Sequence, residues 1–110
     1  MKIYADSSTK EACIVVEGYD PAVYPYSEPV TVNVGEYQAA ILALSVCRLI
    51  SEEVEILTDS LLVVNQVNGL WKCKKPHLLP FRDYARLLME SGATLKWIPR
   101  EENLAGKVLG

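Results

Sequence analysis

Val54-Glu55-Ile56-Leu57-Thr58-Asp59-Ser60-Leu61-Leu62-Val63-Val64-Asn65-Gln66-Val67-Asn68-Gly69 passes from a β-rich run directly into a helical one. Val54 to Thr58 predicts a short strand, and Asp59-Ser60 opens a helical pattern through Leu61, Val64, Asn65 and Val67 that Asn68-Gly69 ends. A strand that feeds a helix in this way is the building unit of an α/β sheet. Upstream, Ala39, Ala40, Leu42, Ala43, Val46, Cys47 and Ile50 recur at helical spacing and predict a helix over Val34–Ile50, with Asn33 placed to cap it and Glu36 in its first turn. Further back, Lys2–Asp6 and Ala12–Glu17 are β-branched and apolar around the turn residues Ser7-Ser8-Thr9-Lys10, which predicts a hairpin. After the turn signal Gly18-Tyr19-Asp20-Pro21, Ala22–Val32 carries a third strand, kept to a sheet edge by Pro25 and Pro29. Downstream come a basic loop over Trp71–Pro76, a helix over His77–Ser91, a strand over Thr94–Ile98 and a short terminal helix over Arg100–Gly110. The order β-β-β-α-β-α-α-β-α predicts a mixed α/β sheet flanked by helices.

The 110 residues are the length of one domain, read as residues 1–110, and half of them are hydrophobic, the profile of a folded chain. The formal charge of −3 has the wrong sign for a protein that coats nucleic acid. It conceals an asymmetry: residues 1–55 hold three basic and nine acidic side chains, and residues 56–110 hold eight basic and five acidic. The three cysteines, Cys13, Cys47 and Cys73, are odd in number and widely spaced, which argues against a disulfide framework or a zinc site. No basic-then-apolar leader opens the chain, and Arg48 and Ser51-Glu52-Glu53 interrupt its most apolar stretch, so the expectation is a cytoplasmic protein with no membrane partner.

Three carboxylates fall at element boundaries: Asp6 at the end of the first strand, Glu36 in the first turn of the first helix, and Asp59 where a strand becomes a helix. If the strands bearing Asp6 and Asp59 are neighbours, both side chains project at one sheet edge and Glu36 reaches them from the helix packed there. Such a cluster repels itself unless a cation neutralises it, and hard oxygen donors favour Mg²⁺ or Mn²⁺. Carboxylates with divalent ions commonly support phosphate-ester hydrolysis. The alternative on spacing alone is local capping, since acidic residues are favoured at helix N-termini and turns.

Four stretches in order resemble the motifs of ribonuclease H, of the type 1, reverse-transcriptase-like group. Ile3-Tyr4-Ala5-Asp6-Ser7-Ser8 is similar to its first Asp motif, and Asn33-Val34-Gly35-Glu36-Tyr37-Gln38-Ala39-Ala40 to its Asn-x-x-Glu-x-x-Ala helix. Thr58-Asp59-Ser60 is similar to its Thr-Asp-Ser motif, and Trp97-Ile98-Pro99-Arg100-Glu101-Glu102-Asn103 to its last strand and the start of its final helix. The resemblance implies a five-stranded mixed sheet and two-metal hydrolysis of the RNA strand of an RNA–DNA hybrid. Asp6 would bridge both ions, with Glu36 and Asp59 on the second. The fourth carboxylate that the resemblance implies for the last helix is missing: Lys107 stands there, or Gly106 in a register shifted by one. Three readings follow. Lys107 replaces one ion with its own charge and takes part in a one-metal nuclease, Glu101 or Glu102 substitutes as ligand, or the site binds without cutting. A catalytically inactive nucleic-acid-binding or protein-interaction module is therefore the alternative to the enzyme, and a related nuclease for another structured substrate is a third reading.

Trp71-Lys72-Cys73-Lys74-Lys75 interleaves an aromatic with lysines, which suits phosphate contact beside a packing platform; otherwise it is a solvated loop with Trp71 folded onto the core. Asn33 caps its helix or, as the resemblance implies, meets ribose 2′-hydroxyls in the minor groove. Ser7, Ser8 and Ser60 make turns and caps or contact the substrate backbone beside the metal ligands. His77 is read as a surface helix start, and Trp97, two residues from Leu95 on a strand, as core. Monomer and homodimer both remain open.

Overall fold

Alternation gives the first strand, β1 (Lys2–Ser7), two different faces: Ile3 and Ala5 are buried on one, while Tyr4 and Asp6 are half-buried on the other. The computed structural model describes residues 1–50 and 52–110. β2 (Glu11–Val16) pairs antiparallel with β1, setting Cys13 opposite Asp6, and β3 (Ala22–Pro25) pairs with the outer side of β2. β4 (Glu55–Thr58) runs parallel to β1 with Thr58 beside Ala5, and β5 (Thr94–Trp97) runs parallel to β4. The sheet order is β3-β2-β1-β4-β5, the mixed five-stranded sheet expected from the sequence.

Three helices share one face. α1 (Val32–Cys47), α2 (Leu61–Val67) and α3 (Leu79–Met89) bury Ala39, Ala40, Ala43, Leu44, Val63, Val67, Ala85 and Leu88 with Ile3, Ala5, Ile14, Ile56 and Leu95 of the strands. The alanines of α1 let its backbone lie close to the sheet. Tyr37 donates to Gln66 Oε1 (2.6 Å), and the Arg86 guanidinium donates to the carbonyls of Gln66 and Val67 (2.9 and 3.0 Å), which satisfies the last carbonyls of α2. Asn68 and Gly69, whose φ of +82° suits only glycine well, then end that helix.

Among the described residues the opposite face carries only α4 (Leu104–Leu109), over Cys13 and Val15. Its one buried residue is Ala105, and burying a methyl group stabilises by about 1 kcal/mol at most. The half-buried Leu109 packs against the same small cluster, and hydrogen bonds anchor the start of the helix. Asn103, fully buried, donates from Nδ2 to the carbonyl of Ala5 (2.9 Å) and accepts at Oδ1 from Ala105 N–H (3.1 Å).

The structure moves several expected boundaries. β3 stops at Pro25 rather than Val32, because a proline offers no ladder donor. α1 begins two residues before Val34: Thr31, not Asn33, is its cap, accepting from Val34 N–H at 3.4 Å. Glu36 consequently lies beyond the first turn, and α1 ends at Cys47 rather than Ile50. A 3-10 turn over Pro76–Leu78 precedes α3, and another over Arg100–Glu102 precedes α4. Among the described residues no helix is long and apolar enough to cross a membrane.

Candidate metal centre and nucleic-acid interface

Parallel pairing of β1 and β4 brings two strand ends to the same sheet edge. Asp6 and Asp59 each lie one residue past the last paired positions, Ala5 and Thr58. Glu36 comes from α1, and its approach depends on a glycine: a Cβ at Gly35 would stand 2.5 Å from Ser7 Oγ and 3.2 Å from the carbonyl of Ser8. Close contact between α1 and the end of β1 lets Ser7 N–H donate to Glu36 Oε1 at 3.1 Å. Carboxylate oxygens of Asp6, Glu36 and Asp59 then lie within 4.8 Å of one another.

The charge balance is severe. Glu36 is 7% exposed, and burial first, then the charges of Asp6 and Asp59, push its carboxyl up to about 8. Asp6 is also raised, by burial and by Asp59, while Ser7 N–H and the charge of Arg100 act in the other direction. Without a cation, burial and the neighbouring carboxylates thus favour the protonated form of Glu36. Three hard oxygen donors at this spacing fit a small divalent ion such as Mg²⁺ or Mn²⁺, whose charge would remove that repulsion.

α4 closes the Asp6 side of the cluster with its backbone. A Cβ at Gly106 would meet Asp6 Oδ2 at 3.1 Å, so Gly106, and not Lys107, is the residue that faces Asp6. Lys107 is exposed, and the cation whose charge acts on Asp6 is Arg100. Glu101 and Glu102 are exposed on the 3-10 turn, outside the carboxylate cluster.

Five of the residues singled out for substrate contact line one groove of about 560 Å³: Asn33, Trp71, Lys72, Lys74 and Lys75, over an apolar floor that includes Leu62 and Leu78. Asn33 lies three residues before Glu36 on α1, and Leu62 three after Asp59, so the groove opens about one helical turn from the carboxylates. Trp71 is not folded onto the core; it is 46% exposed. The serines divide their roles. Ser60 caps α2, accepting from Val63 N–H at 3.3 Å, and Ser8 makes the hairpin turn, accepting from Lys10 and Glu11 N–H (3.1 and 3.2 Å). Ser7 belongs to β1 and faces α1. His77 is exposed, as expected of a surface position.

Sequence reading misplaced one aromatic and overlooked two positions. Trp97 is not core: it is 46% exposed and donates from Nε1 to the carbonyl of Asp59 (3.2 Å), because β5 ends there and its last side chain projects past the sheet. Gly35 and Tyr26 were overlooked, whereas Gly106 stood beside Lys107 as the alternative register. Gly35 carried a usable signal, since glycine inside a helix costs about 1 kcal/mol and usually marks a close approach.

Residues 20–109 match the reverse transcriptase-like family, and the chain belongs to this ribonuclease H-like family. Its structure resembles ribonuclease H1 of the archaeon Halobacterium salinarum NRC-1 with a TM-score of 0.84 at 25% identity, over 98% of this chain and 92% of that one. It resembles LC11 ribonuclease H1, solved in complex with an RNA/DNA hybrid, with a TM-score of 0.77 at 25% identity over 99% of both chains. The bifunctional protein Rv2228c of Mycobacterium tuberculosis is 38% identical over 76 residues, which are 66% of this chain and 21% of that protein. The chain thus spans about a fifth of that curated relative's length. The N-terminal ribonuclease H domain of Rv2228c, solved as a fusion with maltose-binding protein, resembles it with a TM-score of 0.75 at 29% identity, over 93% of this chain and 84% of that one.

Proposed function

We propose that this chain is a divalent-metal-dependent endonuclease that hydrolyses the RNA strand of RNA–DNA hybrids. The observation that carries this reading is the convergence of Asp6, Glu36 and Asp59 within 4.8 Å at one sheet edge. The likeness to a ribonuclease H1 solved with a hybrid supports the substrate class. Asp6, Glu36 and Asp59 would hold Mg²⁺ or Mn²⁺, which stabilises charge on the phosphoryl and leaving oxygens of the scissile ester.

The remaining roles belong to the protein's own groups. Ser7 N–H fixes the Glu36 carboxylate by donating to Oε1. Trp97 holds the Asp59 backbone through its carbonyl. Lys72, Lys74 and Lys75 pair with substrate phosphates, and Trp71 gives the backbone a surface to pack on. Asn33, on the groove wall nearest Glu36, reads the 2′-hydroxyls that distinguish RNA. Purified protein at enzyme excess should release product from a labelled hybrid in Mg²⁺ or Mn²⁺; no product in either ion overturns the assignment.

One observation favours a second reading. Gly106 presents no carboxylate to Asp6, so α4 supplies no ligand of its own to the cluster. A ribonuclease H-like module that binds nucleic acid without cutting would retain hybrid affinity, lack product, and show the same affinity with and without Mn²⁺.

A further inference from the structure

Tyr26 follows β3 and returns to the site. Its backbone N–H donates to the carbonyl of Lys10 (2.9 Å), and its half-buried ring lies beside the end of β1. The hydroxyl sits 2.7 Å from Ser7 Oγ and 3.3 Å from the carbonyl of Gly35. Either hydroxyl can donate in the 2.7 Å contact: when Ser7 Oγ donates to the carbonyl of Ser8 (2.6 Å), Tyr26 donates to Ser7 Oγ, and when Ser7 donates to Tyr26, Tyr26 donates to the carbonyl of Gly35, so the phenol links β1 to α1. Each bridged residue adjoins a carboxylate of the cluster: Ser7 follows Asp6, and Gly35 precedes Glu36. The bridge also lies where α1 passes close to the end of β1, since a Cβ at Gly35 would stand 2.5 Å from Ser7 Oγ.

We propose that Tyr26 is a positioning residue for the carboxylate cluster: its hydroxyl sets the spacing of Ser7 and Gly35, and through them the reach of Glu36 toward a bound divalent ion. This rests on the metal-dependent reading above. Ser7 N–H bonds Glu36 Oε1 directly, so a shift of Ser7 against α1 changes the direction of that carboxylate. Groups that orient ligands in this way commonly change metal affinity by about 10- to 100-fold when removed. Tyr26 does not line the groove, and its hydroxyl bonds Ser7 Oγ and the carbonyl of Gly35 rather than a carboxylate, which separates its effect from substrate binding.

The test compares Mn²⁺ binding by calorimetry in the wild type, Tyr26→Phe, Ser7→Ala and the double variant, with Tyr24→Phe as an exposed control. Tyr26→Phe should raise the Mn²⁺ Kd about tenfold while lowering Tm by less than about 8 °C. Its KM for hybrid should stay unchanged, and its kcat should fall at limiting Mn²⁺ and recover at saturating Mn²⁺. Ser7→Ala should raise the Kd similarly, and the double variant should be no weaker than either single one, because both cut the same bridge. If Tyr26→Phe does not fold, Ser7→Ala, which keeps the ring, carries the same test alone. A Tyr26→Phe Kd within about twofold of wild type, or additive losses in the double variant, overturns the positioning role. A wild type that binds no Mn²⁺ overturns the metal reading itself, whereas binding that is equal in wild type and Tyr26→Phe overturns only the role of Tyr26.

Discussion

The carboxylate cluster and the lysine-rimmed groove lie about one helical turn apart and are built on opposite terms. The cluster gathers like charges, with Glu36 nearly buried, and depends on contacts between remote segments: a glycine on α1, a backbone N–H on β1, a strand register. The groove spreads its lysines in solvent along one stretch, Trp71 to Lys75, where each ammonium stays hydrated. Buried charge requires a precise scaffold and a counter-ion, while exposed charge requires only the right composition. Mutations should therefore act steeply in the first region and in small increments in the second.

The sharpest test of this contrast is Asp6→Asn. Loss of one ligand carboxylate should lower cleavage by about 10³-fold, while the metal-free protein melts no lower than wild type because repulsion has been relieved. Cleavage assays and thermal melts on the same preparation check both halves. Replacing Lys72, Lys74 and Lys75 by alanine should instead reduce the salt slope of hybrid binding by about 1 per lysine and leave single-turnover cleavage at saturation unchanged. An unaltered slope would take the groove out of the interface.

The pH response separates the regions further. The Glu36 carboxyl lies at about 8 in the folded chain and near 4.5 when unfolded, so the folded state binds the extra proton between these values. In metal-free protein its stabilising contribution is complete below about pH 4.5 and is lost as pH rises through about 8. Urea unfolding across that range should show the decline, and Glu36→Gln or added Mn²⁺ should flatten it. The smallest effect belongs to Gly35→Ala, where the better helix propensity offsets part of the clash with Ser7 and the carbonyl of Ser8. A net loss of about 1 kcal/mol, with weaker Mn²⁺ binding, is expected from denaturation and calorimetry.

The contrast also explains what the sequence made legible. Asp6, Glu36 and Asp59 were readable because each sits in a local motif whose strand or helix identifies itself, and the element order followed from hydrophobic periodicity. The start of α1 was not, since Thr31 and Asn33 are both good caps two residues apart and the choice depends on how α1 meets the sheet. Whether Gly106 or Lys107 faces Asp6 depends on how Asn103 anchors a six-residue helix to Ala5, a contact between residues 98 apart. Trp97 was misread for a similar reason: alternation assigns a side chain to a face but does not say where the sheet stops.

That Asn103 contact also orders the folding reaction. Closing a loop between residues 98 apart carries a large entropic penalty, and α4 offers little apolar burial to offset it before the sheet exists. Docking of α4 thus belongs after the main barrier, and Asn103→Ala should accelerate unfolding while leaving the refolding rate almost untouched. On that order the face of the sheet beside Asp6 should be the last part of the molecule to be sealed and the first to open.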